Sequence, residues 1–100
     1  MNDVNELRVM WNEWNSIPFP AEYAGKDVEG ICVTSLDSYT VGCIDTFVTR
    51  KGSLDASRIT VLEDCRKELE IVLNGLEGDA RRYFEGLLQI TEKVLSLAGR

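Results

Sequence analysis

Three cysteines and two isolated aspartates are the residues of this sequence best suited to chemistry. Cys32, Cys43 and Cys65 are 11 and 22 residues apart, with no Cys-X-X-Cys pair, and the chain contains no histidine. This spacing matches no zinc site. The glycines form neither a P-loop nor a dinucleotide-binding motif. We therefore expect no metal and no cofactor, and we expect the thiols to pack as small apolar side chains.

A thiol-dependent reaction is the alternative role for one of these cysteines. Cys43 is the cysteine nearest to the start of a predicted helix, where a thiolate can be stabilised. Asp37 and Asp45 are embedded in a largely uncharged stretch, so either could assist Cys43 as an acid or base. The simpler expectation is that Asp37 caps the helix and Asp45 faces solvent. The sequence therefore predicts that the protein is not an enzyme, with thiol chemistry or small-ligand binding as a minor alternative.

Acidic residues are concentrated in the first half of the chain. The net charge is −6 overall, and residues 1–50 contain eight acids and three bases, whereas residues 51–100 contain nine acids and eight bases. A nucleic-acid partner is not expected, because such binding depends on Lys and Arg that neutralise phosphates. The acidity predicts either a solvated surface or a face that binds a basic partner.

An N-terminal amphipathic helix is predicted from apolar residues spaced three or four apart between Val4 and Ile17. It contains Trp11 and Trp14, and two interpretations are open for them. Tryptophans bury a large apolar area and are usual in cores. They are also enriched at the energetic centres of interfaces. In this second case the partner-binding residues would be Trp11, Trp14, Glu13, Glu22, Asp27 and Glu29.

The C-terminal half has the pattern of two packed helices, over residues 54–76 and 79–98. Apolar residues recur at steps of three and four in both. Asp55 and Asp79 are predicted as their N-caps, and Asn74-Gly75 as the end of the first. The short connection between them predicts an antiparallel helical hairpin.

Residues 28–49 determine the fold class, and two structures are possible for them. The β-branched and aromatic residues from Tyr39 to Thr49 favour a strand, which could pair with residues 28–35 as a β-hairpin. The periodicity favours a helix, with Asp37 as its N-cap and Gly52 as its C-terminal cap. We prefer the helix and predict an all-α, four-helix single domain over residues 1–100. The alternative is an α+β fold with a β-hairpin at about residues 28–49.

A pattern along the chain resembles that of small, functionally uncharacterised bacterial proteins that begin with a Trp-bearing helix. It consists of Leu36-Asp37, Gly42-Cys43, residues 52–55, Cys65 and Tyr83-Phe84. The resemblance implies a bacterial source and a self-standing domain, and it implies no activity. The chain has no run of about 18 apolar residues and no secretory leader, so we expect a cytoplasmic protein without membrane contact.

Two functional hypotheses are stronger than the enzymatic one. The first is a protein-interaction domain, for example an acidic accessory or inhibitor protein that binds a basic partner. The second is a structural homo-oligomer, for example a homodimer. It follows from Ile71, Ile90 and Leu97, which fall away from the main apolar stripes and require cover.

Overall fold

Four α-helices dominate the computed structural model, which describes residues 3–50 and 52–98. This confirms the all-α prediction. The connections contain 3₁₀ turns at Ala21–Tyr23 and Leu73–Gly75 and two paired strands, β1 (Asp27–Val28) and β2 (Ile31–Cys32). The helices are α1 (Asp3–Asn15), α2 (Val33–Thr49), α3 (Ala56–Val72) and α4 (Gly78–Leu97).

Helix α2 begins five residues earlier than the predicted N-cap Asp37 implies, since its N-cap is Cys32. Strands β1 and β2 pair antiparallel through a two-residue turn, in which Glu29 and Gly30 both have positive φ, 53° and 78°. Such a turn reverses the chain tightly, so the helix can follow β2 directly, with Cys32 as its extended N-cap residue. The prediction of Asp37 as N-cap was therefore wrong.

The β-hairpin alternative for residues 28–49 was also wrong, because residues 33–49 form one continuous helix. Gly52 ends this segment as predicted. It has a φ of 96°, and its N–H donates to the Phe47 carbonyl at 2.9 Å. Glycine adopts this left-handed conformation without the steric cost of a Cβ.

The predicted hairpin of α3 and α4 is present, and its two N-cap predictions had different outcomes. Asp55 accepts a hydrogen bond from the Arg58 N–H at 2.9 Å and caps α3 as predicted. Asp79 was the wrong N-cap for α4, which begins at Gly78 after an extended Glu77. Asp79 instead lies in the first turn of α4.

Helix α4 is the centre of the packing, since it contacts α1, α2 and α3. Its Phe84 and Leu87 are fully buried, together with Phe47 of α2 and Leu69 of α3. Helix α1 makes extensive contacts with only one other helix, α4. Helix α2 packs mainly on α3. Helix α1 is therefore the helix with the fewest helical neighbours.

Candidate functional site

A cluster of aromatic rings lies beneath the seam between α1 and α4. Trp11 and Trp14 are stacked, with ring centroids 5.5 Å apart, and the Trp14 ring lies 4.7 Å from that of Tyr83. Phe19 meets Tyr83 and Phe84 edge-on. The tryptophans are only 4% and 6% exposed, so the core interpretation fits them and the exposed-anchor interpretation was wrong.

Trp14 is held in place from two sides. Its indole Nε1–H donates to the Tyr83 carbonyl at 2.9 Å. On the facing helix, a Cβ placed at Gly86 would lie 2.8 Å from Trp14 Cδ1, closer than packed carbon atoms approach. Gly86 therefore provides the space that the indole occupies.

Above this cluster, two adjacent surface depressions form what we name the α1–α4 groove. The two share Ile17 and Arg82. The first has a volume of about 610 Å³ and is lined by residues 17–22 with Asp79, Arg82 and Tyr83. The second has a volume of about 270 Å³ and is lined, besides the shared pair, by Met10, Glu13, Trp14, Gly86, Gln89 and Ile90.

The wall formed by residues 17–22 is shaped by its prolines and anchored by Phe19. Pro18 and Pro20 restrict φ and lack a backbone donor, so α1 cannot continue through them. The last turn of α1 closes with a hydrogen bond from the Ile17 N–H to the Trp14 carbonyl at 2.9 Å. Phe19 packs against the core, whereas Ile17 remains 49% exposed. Ile17 is thus an apolar side chain presented to solvent at the junction of both depressions.

The rim of the groove has an excess of negative charge. Arg82 lies 2.6 Å from Asp79, and the two form an ion pair. Glu13 lines the second depression and Glu22 the first, both exposed, and neither has an ion pair within residues 3–50 and 52–98. Two uncompensated carboxylates therefore border an apolar floor.

Only part of the predicted partner-binding set reaches this groove. Glu13, Glu22 and the edge of Trp14 line it. Asp27 and Glu29 are exposed but belong to the small β1–β2 hairpin, which lines neither depression. Ile17 and Arg82, which line both, were not in that set. The usable signal was the pair of prolines after α1, which ends the helix next to Ile17.

Beneath the groove, a hydrogen bond joins α4 to α2. The Tyr83 hydroxyl donates to Asp37 Oδ1 at 2.6 Å. Burial raises the pKa of the Asp37 carboxyl, although the bond from Tyr83 opposes this shift. Burial and the same contact raise the pKa of Tyr83. Asp45 is exposed on α2, as the sequence predicted, and lies eight residues from Asp37 along the same helix.

Stability is expected to depend on pH through Asp37. Its usual pKa is 3.8 and is raised in the fold, so ionisation is harder in the folded state than in the unfolded chain. The contribution of Asp37 to stability is then lost as the pH rises through the window above 3.8. Asp37→Asn keeps an oxygen acceptor for Tyr83 and removes this titration.

The measurement is urea denaturation of the wild type and Asp37→Asn between about pH 4 and 7. We expect the wild type to lose stability relative to the variant as the pH rises. A difference that stays constant across this range would contradict the assignment.

The three thiols have different environments, and Cys43 does not lie near a helix start as the sequence predicted. Cys43 and Cys65 are buried, 7% and 5% exposed, and burial raises the pKa of both thiols. Cys43 lies in the middle of α2, not near its start. Cys32 occupies the N-cap position, where the nearby side chain and backbone of Ser35 lower the pKa of its thiol. The signal was the Cys-X-X-Ser pattern of residues 32–35.

Cys32 is therefore expected to react first with a maleimide, because the thiolate is the reactive form. Peptide mapping by mass spectrometry should find Cys32 labelled in the folded protein and Cys43 and Cys65 labelled only after denaturation. Ser35→Ala should slow the labelling of Cys32. Labelling of Cys43 at the rate of Cys32 in the native protein would contradict this ranking.

The residues that suggested a homo-oligomer lie in three different environments. Ile90 is 2% exposed and covered within the chain, so its predicted need for cover by another copy was wrong. Leu97 is partly buried against the core. Ile71 is 44% exposed on α3. A continuous apolar face for a symmetry mate is not formed by these three residues.

Among residues 3–50 and 52–98, no three His, Cys, Asp or Glu side chains are grouped as a metal site would require. Over the same part of the chain, no helix combines the length and the apolar character needed to cross a membrane.

Comparison of the chain with family models, curated proteins and solved structures finds no match.

Proposed function

We propose that this chain is a non-enzymatic protein-interaction domain that binds a segment of another protein in the α1–α4 groove. The observation that carries the proposal is the groove itself, an apolar floor with Ile17 exposed at its centre and charged residues at its rim. Protein interfaces have this organisation, with an apolar core inside a polar rim. A cytoplasmic location is part of the proposal, because three free thiols suit a reducing compartment.

The length of the groove favours a chain segment over a compact ligand. From Met10 to Trp14 the groove follows α1 for about 6 Å, at 1.5 Å per residue. It then continues along residues 18–22. A peptide can follow such a path with successive side chains, and the rigid aromatic layer beneath limits the ordering cost of binding.

Small-ligand binding is the second candidate function. Ligand pockets usually have volumes of about 300–1,000 Å³ and mainly apolar linings. The first depression, at about 610 Å³, lies within this range, with Phe19 and Tyr83 in its lining. A ligand confined to it would not need the second depression.

The test is affinity capture from host lysate with the wild type, Ile17→Gln and Ile71→Gln as bait. Ile17 and Ile71 are the same residue type at 49% and 44% exposure, and Ile71 lies on α3 outside the groove. We expect one stoichiometric protein to be retained by the wild type and Ile71→Gln. Ile17→Gln should weaken its binding about tenfold or more, which corresponds to about 1.4 kcal/mol.

Native mass spectrometry of the captured material separates the alternatives. A partner retained equally by Ile17→Gln would place the interface elsewhere. A retained small molecule that Ile17→Gln releases would favour the second candidate function. A wild-type homodimer with no other protein would support the oligomer hypothesis instead.

A further inference from the structure

We infer that the segment bound in the α1–α4 groove contains a lysine or arginine next to an apolar residue. This inference rests on the proposed function and specifies the chemistry of the partner. It is carried by the positions of Glu13 and Glu22. One lies in each depression, and Ile17, shared by both depressions, stands between them.

The charge balance of the rim determines the sign of the partner. Among the residues that the structure describes, Arg82 is the only basic side chain lining either depression, and it is already paired with Asp79 at 2.6 Å. Glu13 and Glu22 have no such counter-charge within residues 3–50 and 52–98. An acidic segment placed here would meet two carboxylates, whereas a basic one would neutralise them. Rim charges of this kind act on association rate and on the choice of partner.

The floor determines the second requirement, an apolar residue. The first depression is bordered by Ile17, Phe19 and Tyr83, with the prolines at positions 18 and 20. A purely basic segment would leave this surface in water. An apolar side chain seated between two basic ones would cover Ile17 while its neighbours approach Glu13 and Glu22.

The experiment is a selection of random displayed peptides of about nine residues, which span about 30 Å when extended. The baits are the wild type, Ile17→Gln, and the double variants Glu13→Gln/Glu22→Gln and Glu68→Gln/Glu92→Gln. The last pair removes two exposed acids outside the groove and is the matched control for charge.

Selected peptides are expected to be enriched in Lys or Arg adjacent to Leu, Ile, Phe or Met. In fluorescence polarisation, their affinity should fall about tenfold or more between about 50 and 500 mM NaCl, as screening shortens the reach of the rim charges. Glu13→Gln/Glu22→Gln should remove most of this salt dependence, and Glu68→Gln/Glu92→Gln should preserve it.

The outcomes distinguish this inference from the proposed function. Peptides that require Ile17 but are neutral or acidic would overturn the inference and leave the groove as a binding site. The same conclusion follows if salt has no effect on wild-type binding. Peptides that bind Ile17→Gln as well as the wild type, or the absence of any selected peptide, would overturn both.

Discussion

Replacing Trp14 with alanine is expected to lower the free energy of unfolding by about 3–5 kcal/mol. The indole is 6% exposed, is stacked on Trp11 and packs against Tyr83. Its removal creates a cavity at the seam of α1 and α4. It also removes the hydrogen bond that Trp14 Nε1–H donates to the Tyr83 carbonyl, which adds to the loss of stability. Urea denaturation followed by circular dichroism measures the loss.

Trp14→Phe is the control that separates the two contributions. It retains a ring for the aromatic cluster and removes the indole N–H, so we expect a smaller loss of about 1–3 kcal/mol. If Trp14→Ala cost less than about 1 kcal/mol, the residue would behave as an exposed side chain. That result would restore the interface interpretation of the two tryptophans and contradict the packing described above.

The burial of Trp14 also determines which variants can test the groove. An alanine at this position is expected to disturb the fold and the groove together, so lost binding would not identify a contact residue. Ile17, which is half-exposed, can be changed to Gln with little effect on the core. For this reason the binding experiments depend on Ile17 and not on the tryptophans.

Alanine at two helical glycines is expected to have opposite effects on stability. At Gly86 the new methyl group would lie 2.8 Å from Trp14 Cδ1. Stacking and the bond to Tyr83 prevent the ring from moving aside, so overpacking should cost about 1–3 kcal/mol. At Gly42, in the interior of α2, a Cβ meets no atom within 4 Å. Gly42→Ala should therefore stabilise the protein by about 0.5–1 kcal/mol.

Thermal and urea denaturation of the two variants provide the test, each compared with the wild type. The sign of the difference is more informative than its size, because helix propensity favours alanine at both positions. A stabilised Gly86→Ala would show that Trp14 can move away from α4. A destabilised Gly42→Ala would show that α2 has a close neighbour at this position, as in a contact between copies of the chain.

Features that depend on neighbouring residues could be predicted from the sequence. The helical periodicity of all four segments, the Asp55 cap on α3 and the glycine at position 52 each involve hydrogen bonds or packing over a few residues. Asp55, for example, accepts from Arg58, three residues along the chain. Such interactions form in the same way wherever the segment lies in the fold.

The start of α2 shows where local patterns were insufficient. Leu36-Asp37 has the pattern of a helix start. The helix nevertheless begins at Val33, because the β1–β2 turn reverses the chain and α2 follows β2 directly. Asp37 instead meets Tyr83, 46 residues away. The pattern could not contain this partner, because the contact exists only when α2 and α4 are packed.

The sequence alone determined that this chain forms a four-helix domain with an acidic first half. Only the tertiary structure decided which side chains are buried and which line the groove. It buried both tryptophans, joined Asp37 to Tyr83, exposed Ile17 and placed Glu13 and Glu22 around an apolar floor. The physical reason is the distance along the chain over which each interaction acts. Helix periodicity and capping are set within a few residues. The groove instead requires α1 to lie on α4, and the hydrogen-bonded residues Trp14 of α1 and Tyr83 of α4 are 69 positions apart.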